Sequence, residues 1–370
     1  MGGPPEAPPS RHPSTHVSTQ APPQTGFLGI LPRVRPRWGT ILGLILLGLL
    51  AVWLVVNFIN DPSEFLTVFL IGVTLGALYG LIALGYTLVY GILELINFAH
   101  GDLFMLCGMV SATFMISVFD LQGGRPLYIL IPSLIAILVI AMAFGAATNT
   151  TIELVAYRRL RGAPRLAPLI TAVAMSFILQ GIGLIWKGAR PVAPQDVVSD
   201  ATIFNWHGVS YTWNKLVVLI VTAPVLLVLI WLVQRTRQGK AMRAVAQDGQ
   251  AAAMMGINVN RTISFTFALG GALAGVAGLL FMLYPGQMRF DTGFQIGLIA
   301  FTAAVLGGIG NLAGAVAGGM VIGLIQAFNE GLTIGAPGPQ WTQSIVFSIL
   351  ILILVFRPEG LLGERTPEGQ

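Results

Sequence analysis

The chain has 370 residues, of which 55% are hydrophobic and 9% charged, against about 25% charged in a typical soluble domain. That composition excludes water as its main solvent, and apolar stretches recurring along almost the whole length favour one continuous membrane domain over two soluble ones. The formal net charge of +5 would suit a nucleic-acid partner if it were gathered on one face, so its distribution along the chain has to be followed.

The first 36 residues hold nine of the 22 prolines, with Ser, Thr and Gln between them. Such a stretch buries too little apolar area to offset the entropy of ordering, so 1–39 is expected to be a disordered, proline-rich cytoplasmic tail. Arg33, Arg35 and Arg37 precede the apolar run 41–59, which is too long for a signal-peptide core and lacks a cleavage site, so it is expected to stay as a first helix. Gly2 does not begin a myristoylation motif, because Glu6 stands where Ser or Thr is required.

Further apolar segments run at about 65–93, 103–119, 127–150, 168–187, 214–234, 262–284, 294–329 and 340–356. The segment 294–329 is too long for one ordinary crossing and carries Gly307, Gly308, Gly310 and Gly314 near its middle. It is expected to form two half-length or tilted elements joined at a glycine-rich break. The fold class is thus an all-α, polytopic transmembrane helical bundle with broken or re-entrant segments, its membrane domain spanning 40–356 and followed by a cytoplasmic tail at 357–370.

With the N-terminus cytoplasmic and 294–329 returning to its starting side, fifteen of the twenty Lys and Arg residues fall on the inside, in four clusters. These are Arg11 to Arg37, Arg158 to Arg165, Arg235 to Arg261, and Arg357 with Arg365; Arg125, Lys187, Arg190, Lys215 and Arg289 lie outside. Both termini are therefore expected to be cytoplasmic. The basic excess reads as a topology signal, and nucleic acid drops out as a partner.

No Asp, Glu, Lys, Arg or His falls in the central part of a proposed helix; Glu94, His100, Asp102, Glu153 and Glu330 sit at segment ends. Pumps and ion-coupled transporters usually place ionisable groups within the bilayer, so a secondary transporter is disfavoured. A P-loop is absent too, since Gly239-Lys240 is followed by Ala241 and no glycine stands five residues before Gly239. The histidines and Cys107 have no metal-ligand spacing, and no nucleophile, base and orienting residue form a motif. No enzyme activity, metal or cofactor is expected, and Cys107 reads as a small packing residue.

Gly72, Gly76 and Gly80, Gly271 and Gly275, Gly310, Gly314 and Gly318, and Gly319 with Gly323 each recur at four-residue intervals. They allow close helix packing, with the lining of a path as the alternative. The stretch 94–102 interrupts two apolar runs with Glu94, Asn97, His100 and Asp102. These four either satisfy helix ends that lipid would leave unpaired or take part in gating or passing a polar solute. The cytoplasmic loop 235–261 reads as an amphipathic helix over 240–255, with Met242, Val245, Ala246, Ala253 and Met254 apolar, either presenting a face to another protein or serving as a connector.

Four ordered blocks carry a family likeness: Leu81-Ile82-Ala83-Leu84-Gly85-Tyr86-Thr87 followed by Ile96-Asn97-Phe98-Ala99-His100-Gly101-Asp102; Arg243-Ala244-Val245-Ala246-Gln247-Asp248; Gly256-Ile257-Asn258; and 301–310. With these the chain resembles the permease subunits of ATP-binding cassette importers for leucine, isoleucine and valine, over about 65–360. Gln250-Ala251-Ala252 with Gly256 resembles a degenerate form of the coupling motif by which such permeases engage their ATPases, Gln250 standing where the family has Glu. The resemblance implies separate ATP-binding subunits, a second homologous permease, an extracytoplasmic solute-binding protein, and a multi-pass location in the bacterial inner membrane. It implies an amino-acid substrate, with urea or a short amide as the alternative; a self-sufficient channel or secondary transporter and a membrane scaffold are the readings outside this class.

Overall fold

The computed structural model describes residues 2–3, 38–161, 163–164, 166–195, 197–198, 201–206, 208–357 and 359–363. Expectations for the tails 1–39 and 357–370 fall largely outside these residues, as do Arg11, Arg33, Arg35, Arg37, Arg165 and Arg365. The chain divides between Leu54 and Val55 into two compact units. The first contains most of α1 (Trp38–Asn60), a helix without a charged residue over the run expected to be a retained first helix.

The second unit begins with α2 (Pro62–Leu93), whose start is fixed locally. Asp61 accepts hydrogen bonds from the Ser63 and Glu64 backbone N–H groups at 3.1 and 2.9 Å, and Pro62 occupies a first-turn position that has no use for a donor. Those bonds hold the Asp61 carboxyl below its ordinary value, the Glu64 N–H contributing most. There follow α3 (Ala99–Thr113), continued by a wide π turn to Val118, and α4 (Leu127–Ile152), continued by a π turn over Glu153–Tyr157 and a tighter turn to Leu160. Next come α5 (Leu166–Lys187), α6 (Trp213–Arg235), α7 (Arg237–Gln247), α8 (Gly249–Met254) and α9 (Val259–Leu283). The series ends with α10 (Thr292–Gly307), α11 (Leu312–Gly331) and α12 (Thr342–Phe356). Between α5 and α6 a short antiparallel hairpin pairs β1 (Thr202–Trp206) with β2 (Val209–Thr212), a feature the apolar pattern does not carry.

The fold is an all-α polytopic helical bundle: among the described residues eight helices are long and apolar enough to cross a membrane. The long segment 294–329 resolves into the antiparallel pair α10 and α11. Gly308 and Gly310, at φ +105 and +99, turn the chain between them, and Asn311 caps α11 by accepting from the Gly314 N–H at 3.0 Å. Small residues let helices cross at backbone contact. A Cβ added to Gly271 of α9 would lie 2.1 Å from the Gly145 carbonyl oxygen of α4, and one on Gly323 of α11 would lie 2.2 Å from the Gly76 nitrogen of α2. The glycine stripes at 72–80, 271–275 and 319–323 therefore pack helices. The outer sides of α5 and α12 expose apolar side chains such as Ile185 (89%) and Phe356 (76%), which suit lipid contact.

Three boundaries differ from expectation. First, α3 starts at Ala99, four residues before 103, so His100 and Asp102 are fully buried inside a helix instead of flanking one. Second, Glu153 lies within the continuation of α4 and is fully buried, because Arg158 and Arg161 neutralise it there. Third, the helix expected over 240–255 is broken at Asp248, whose extended backbone (φ −155) and side chain start a new helix.

The connections gather at two ends of the second unit. At one end Tyr211 of the hairpin hydrogen-bonds Thr74 of α2 at 2.7 Å, Val192 pairs with Met288, and Asn57 bonds the backbone of Ile334. At the other, Arg161 reaches Asn260, and the backbone N–H groups of Leu361 and Leu362 donate to the Leu306 and Gly307 carbonyls at 2.8 and 3.0 Å, tying the segment after α12 to the end of α10.

Candidate functional site

The residues singled out in the loop 235–261 lie on α7, α8 and their caps. Thr236 starts α7 by accepting from the Gly239 N–H at 3.1 Å, and the Arg243 guanidinium donates back to the carbonyls of Val233 and Gln234, so the last turn of α6 is capped by the helix that follows it. Met242 and Val245 turn inward and are buried at 3% and 6%. The apolar face of α7 is therefore used against its own bundle, and its exposed face is polar or small, with Arg237, Lys240, Arg243, Ala246 and Gln247, whereas α8 and its closure expose the apolar Met254 and Met255.

Asp248 caps α8 by accepting from the Gln250 and Ala251 N–H groups at 2.8 and 2.9 Å. At the other end Gly256 N–H donates to Ala253 and Ile257 N–H to Ala252, at 3.0 and 3.1 Å, while Gly256 takes φ +82. This paired closure with a left-handed glycine stops the helix after six residues. Of the four candidate coupling residues, Ala252 faces inward, Ala251 is half-buried, and Gln250 and Gly256 are exposed. Beside them Met254 and Met255 are 82% and 83% exposed, a pair of flexible, polarizable side chains that adapt to a partner surface. The structure thus brings the four together on one short, capped helix and its closing turn, with Met255 as a further exposed neighbour.

The candidates Glu94, Asn97, His100 and Asp102 do not form one cluster. Glu94 is exposed and closes α2 in a left-handed conformation (φ +53), its N–H donating to the Tyr90 carbonyl at 2.8 Å. Asn97 is buried and its side-chain oxygen accepts from the Tyr157 hydroxyl at 2.8 Å, linking the α2–α3 connection to the end of α4. His100 is completely buried, its ring edge-on to Tyr86 with centroids 4.9 Å apart. It also fills the space over Gly85, where a Cβ would meet its Nε2 at 2.1 Å. Asp102 is completely buried and accepts from Ser176 Oγ and, at 3.3 Å, from Gln180 Nε2, both on α5. A cleft beside Asn97, lined by Val89, Leu93, Ile96, Tyr157 and Phe267, has no room for a water molecule. The partners Tyr157, Ser176 and Gln180 were not legible as such, because each is a single polar residue far away in sequence.

A third polar group lies at the same end as α8. Glu153 accepts from Arg158 Nη2 at 3.1 Å, from Arg161 Nη2, and from Ser264 Oγ of α9 at 2.7 Å. Burial draws the Arg161 guanidinium below its ordinary value, and the Glu153 charge opposes that shift. Among the described residues no group of three His, Cys, Asp or Glu side chains is arranged to hold a metal ion.

Residues 68–355 match the family described as branched-chain amino acid transport system, permease component. The chain is 39% identical over 302 residues to the high-affinity branched-chain amino acid transport system permease protein BraD of Pseudomonas aeruginosa, covering 80% of this chain and 95% of that one. It is 38% identical over 303 residues to the corresponding permease LivH of Escherichia coli, with the same coverage. More remotely, it is 26% identical over 283 residues to the ribose import permease protein RbsC of Escherichia coli, covering 74% and 80% of the two chains. No solved structure gives a significant match. With its family block extending from α2 to the last residues of α12, this multi-pass membrane protein belongs to the permease components of branched-chain amino acid transport systems.

Proposed function

We propose that this chain is a permease subunit of an ATP-driven importer that carries branched-chain or related amino acids across the bacterial inner membrane. The observation that carries this reading is the 39% identity to a branched-chain amino acid permease over 95% of that relative's length. ATP is hydrolysed on separate subunits, which agrees with a sequence that lacks a P-loop. A second homologous permease completes the pathway, and a solute-binding protein delivers the amino acid from outside. The preponderance of basic residues at the end that carries α7, α8 and Arg158 to Arg161 supports a cytoplasmic assignment for that end, and for both termini.

In this reading Gln250, Ala251, Ala252 and Gly256, with Met254 and Met255 beside them, dock an ATP-binding subunit. The short helix offers small residues for close approach and no net charge of its own, so shape dominates the contact. Asn97 ties the α2–α3 connection to the end of α4, His100 packs the start of α3 on Tyr86 and Gly85 of α2, and Asp102 ties it to α5, which makes this stretch a candidate gating element with Glu94 at its exposed edge.

The test is uptake of labelled leucine into vesicles that contain this chain with its ATP-binding, permease and solute-binding partners, with and without ATP, comparing wild type with Gly256→Trp. ATP-dependent leucine uptake in wild type, lost in Gly256→Trp while the complex remains assembled, is the expected result. Uptake that needs neither ATP nor an intact α8 overturns the importer reading, and ATP-dependent uptake of urea alone replaces the solute.

A further inference from the structure

Asp102 and Glu153 are buried carboxylates, and Glu153 is the one bonded to the first turns of α9, the helix that follows the proposed docking helix in the chain. Its side chain is completely buried, whereas those of Arg158 and Arg161 are 36% and 20% exposed. A carboxylate is held in such a place only when its charge is paired and its lone pairs are used. Here both conditions are met across two elements. Arg158 and Arg161 come from the turns that continue α4, and Ser264 comes from the second turn of α9. Arg158 also donates to Ser264 Oγ at 2.6 Å, and Arg161 to Asn260 Oδ1 at 2.5 Å.

The contacts on α9 are regularly spaced. Asn260 meets Arg161, Ser264 meets Glu153, the Phe267 carbonyl accepts from Asn149 Nδ2 at 2.7 Å, and Gly271 meets the backbone of Gly145. Steps of four, three and four residues put all four on one face of α9. On the other side of the pair, Gly145, Asn149 and Glu153 follow one another at one-turn intervals, so α4 and α9 are joined turn by turn. The first of these ties lies close to α8 along the chain: Gly256 ends α8, Ile257 follows, and Asn258 caps α9 by accepting from the Arg261 N–H at 3.0 Å. Asn260 is then only four residues beyond Gly256.

We propose that Glu153 is a positioning residue for energy coupling: with Arg158 and Arg161 it clamps the end of α4 to the first turns of α9, so that a displacement of α8 moves both helices as one body. This rests on the reading of α8 as the ATPase-docking helix. An unclamped α9 would move with α8 on its own, and α4, with the Tyr157–Asn97 bond to the α2–α3 connection, would stay behind.

The test uses the complete reconstituted complex and measures ATP hydrolysis, leucine uptake and retention of the ATP-binding subunit together. Glu153→Gln keeps the shape but removes the charge that both arginines require. The expected result is retained subunits and ATP hydrolysis, with leucine carried per ATP reduced about tenfold, in the range of ordinary coupling energies. Ser264→Ala, which removes the hydroxyl's bonds to Glu153 and Arg158 but no charge, gives a smaller fall in the same ratio, and Glu153→Asp recovers part of it. An unchanged ratio in Glu153→Gln and Ser264→Ala overturns the clamp, as does a parallel loss of hydrolysis and uptake in both, which marks a purely structural role. Wild-type vesicles without ATP-dependent uptake overturn the importer reading itself and the clamp's coupling role with it, so the two failures are told apart by the wild-type control.

Discussion

At the scale of single residues, two glycines of α8 separate what the backbone demands from what it tolerates. Gly256 stands at φ +82, a conformation that strains any residue with a Cβ, although a Cβ there would meet nothing within 4 Å. Gly249 opens the helix with no positive φ and no neighbour within 4 Å of an added Cβ. Gly256→Ala should therefore destabilise the local closure by about 1 kcal/mol. Gly249→Ala should be neutral or slightly stabilising because it only narrows the unfolded ensemble. Amide hydrogen exchange over 249–257 checks this: faster exchange in the first variant, none in the second. Gly256 was legible from its place in Gly256-Ile257-Asn258, since glycine after a helical pattern marks a closure. The partners of Asp102 and Asn97 were not, because Ser176, Gln180 and Tyr157 are common residue types whose roles exist only once distant helices meet.

At the scale of elements, the crossing of α4 and α9 depends on backbone contact at Gly145 and Gly271. Gly271→Ala places a Cβ 2.1 Å from a carbonyl oxygen, so the helices must part. A loss of about 1–3 kcal/mol is expected, seen as a lowered unfolding temperature of the purified protein in detergent. Gly181→Ala on α5, where an added Cβ meets nothing within 4 Å, should leave that temperature unchanged or raise it. Equal behaviour of the two variants would remove the packing explanation. The element pattern shows how far periodicity reaches: the break in 294–329 was readable from glycines that no continuous helix would gather. The division at Asp248 was not, because Asp reads equally as a solvated helical residue and as a cap, and only the neighbouring bundle decides between them. The same holds for the extension of α4 to Leu160, which needs Arg158 and Arg161 folded back onto Glu153.

For the whole molecule, the distribution of charge makes a directional prediction. With Cys107 replaced by Ala, Ala189→Cys and Gln247→Cys leave every charge in place and lie in exposed positions of the α5–α6 connection and of α7. A membrane-impermeant maleimide added outside intact cells should label residue 189 and spare residue 247, and inside-out vesicles should reverse the pattern. The opposite outcome would invert the assignment of α8 and exclude its docking to a cytoplasmic ATPase. The mainly apolar outer faces of α5 and α12 suit contact with lipid on these sides.

What the sequence alone determined was the solvent, the order of the apolar segments, the break near Gly308, and the family, because hydropathy and short ordered blocks are properties of contiguous residues. What only the tertiary structure decided was which polar residues are partners and which surfaces remain open. It turned the apolar face of α7 inward and left α8 exposed, dispersed Glu94, Asn97, His100 and Asp102 among different neighbours, and brought Glu153 against Ser264, 111 residues away. The physical reason is that a buried charge or amide is satisfied by whatever the fold brings within about 3 Å, and local sequence holds no record of that distance.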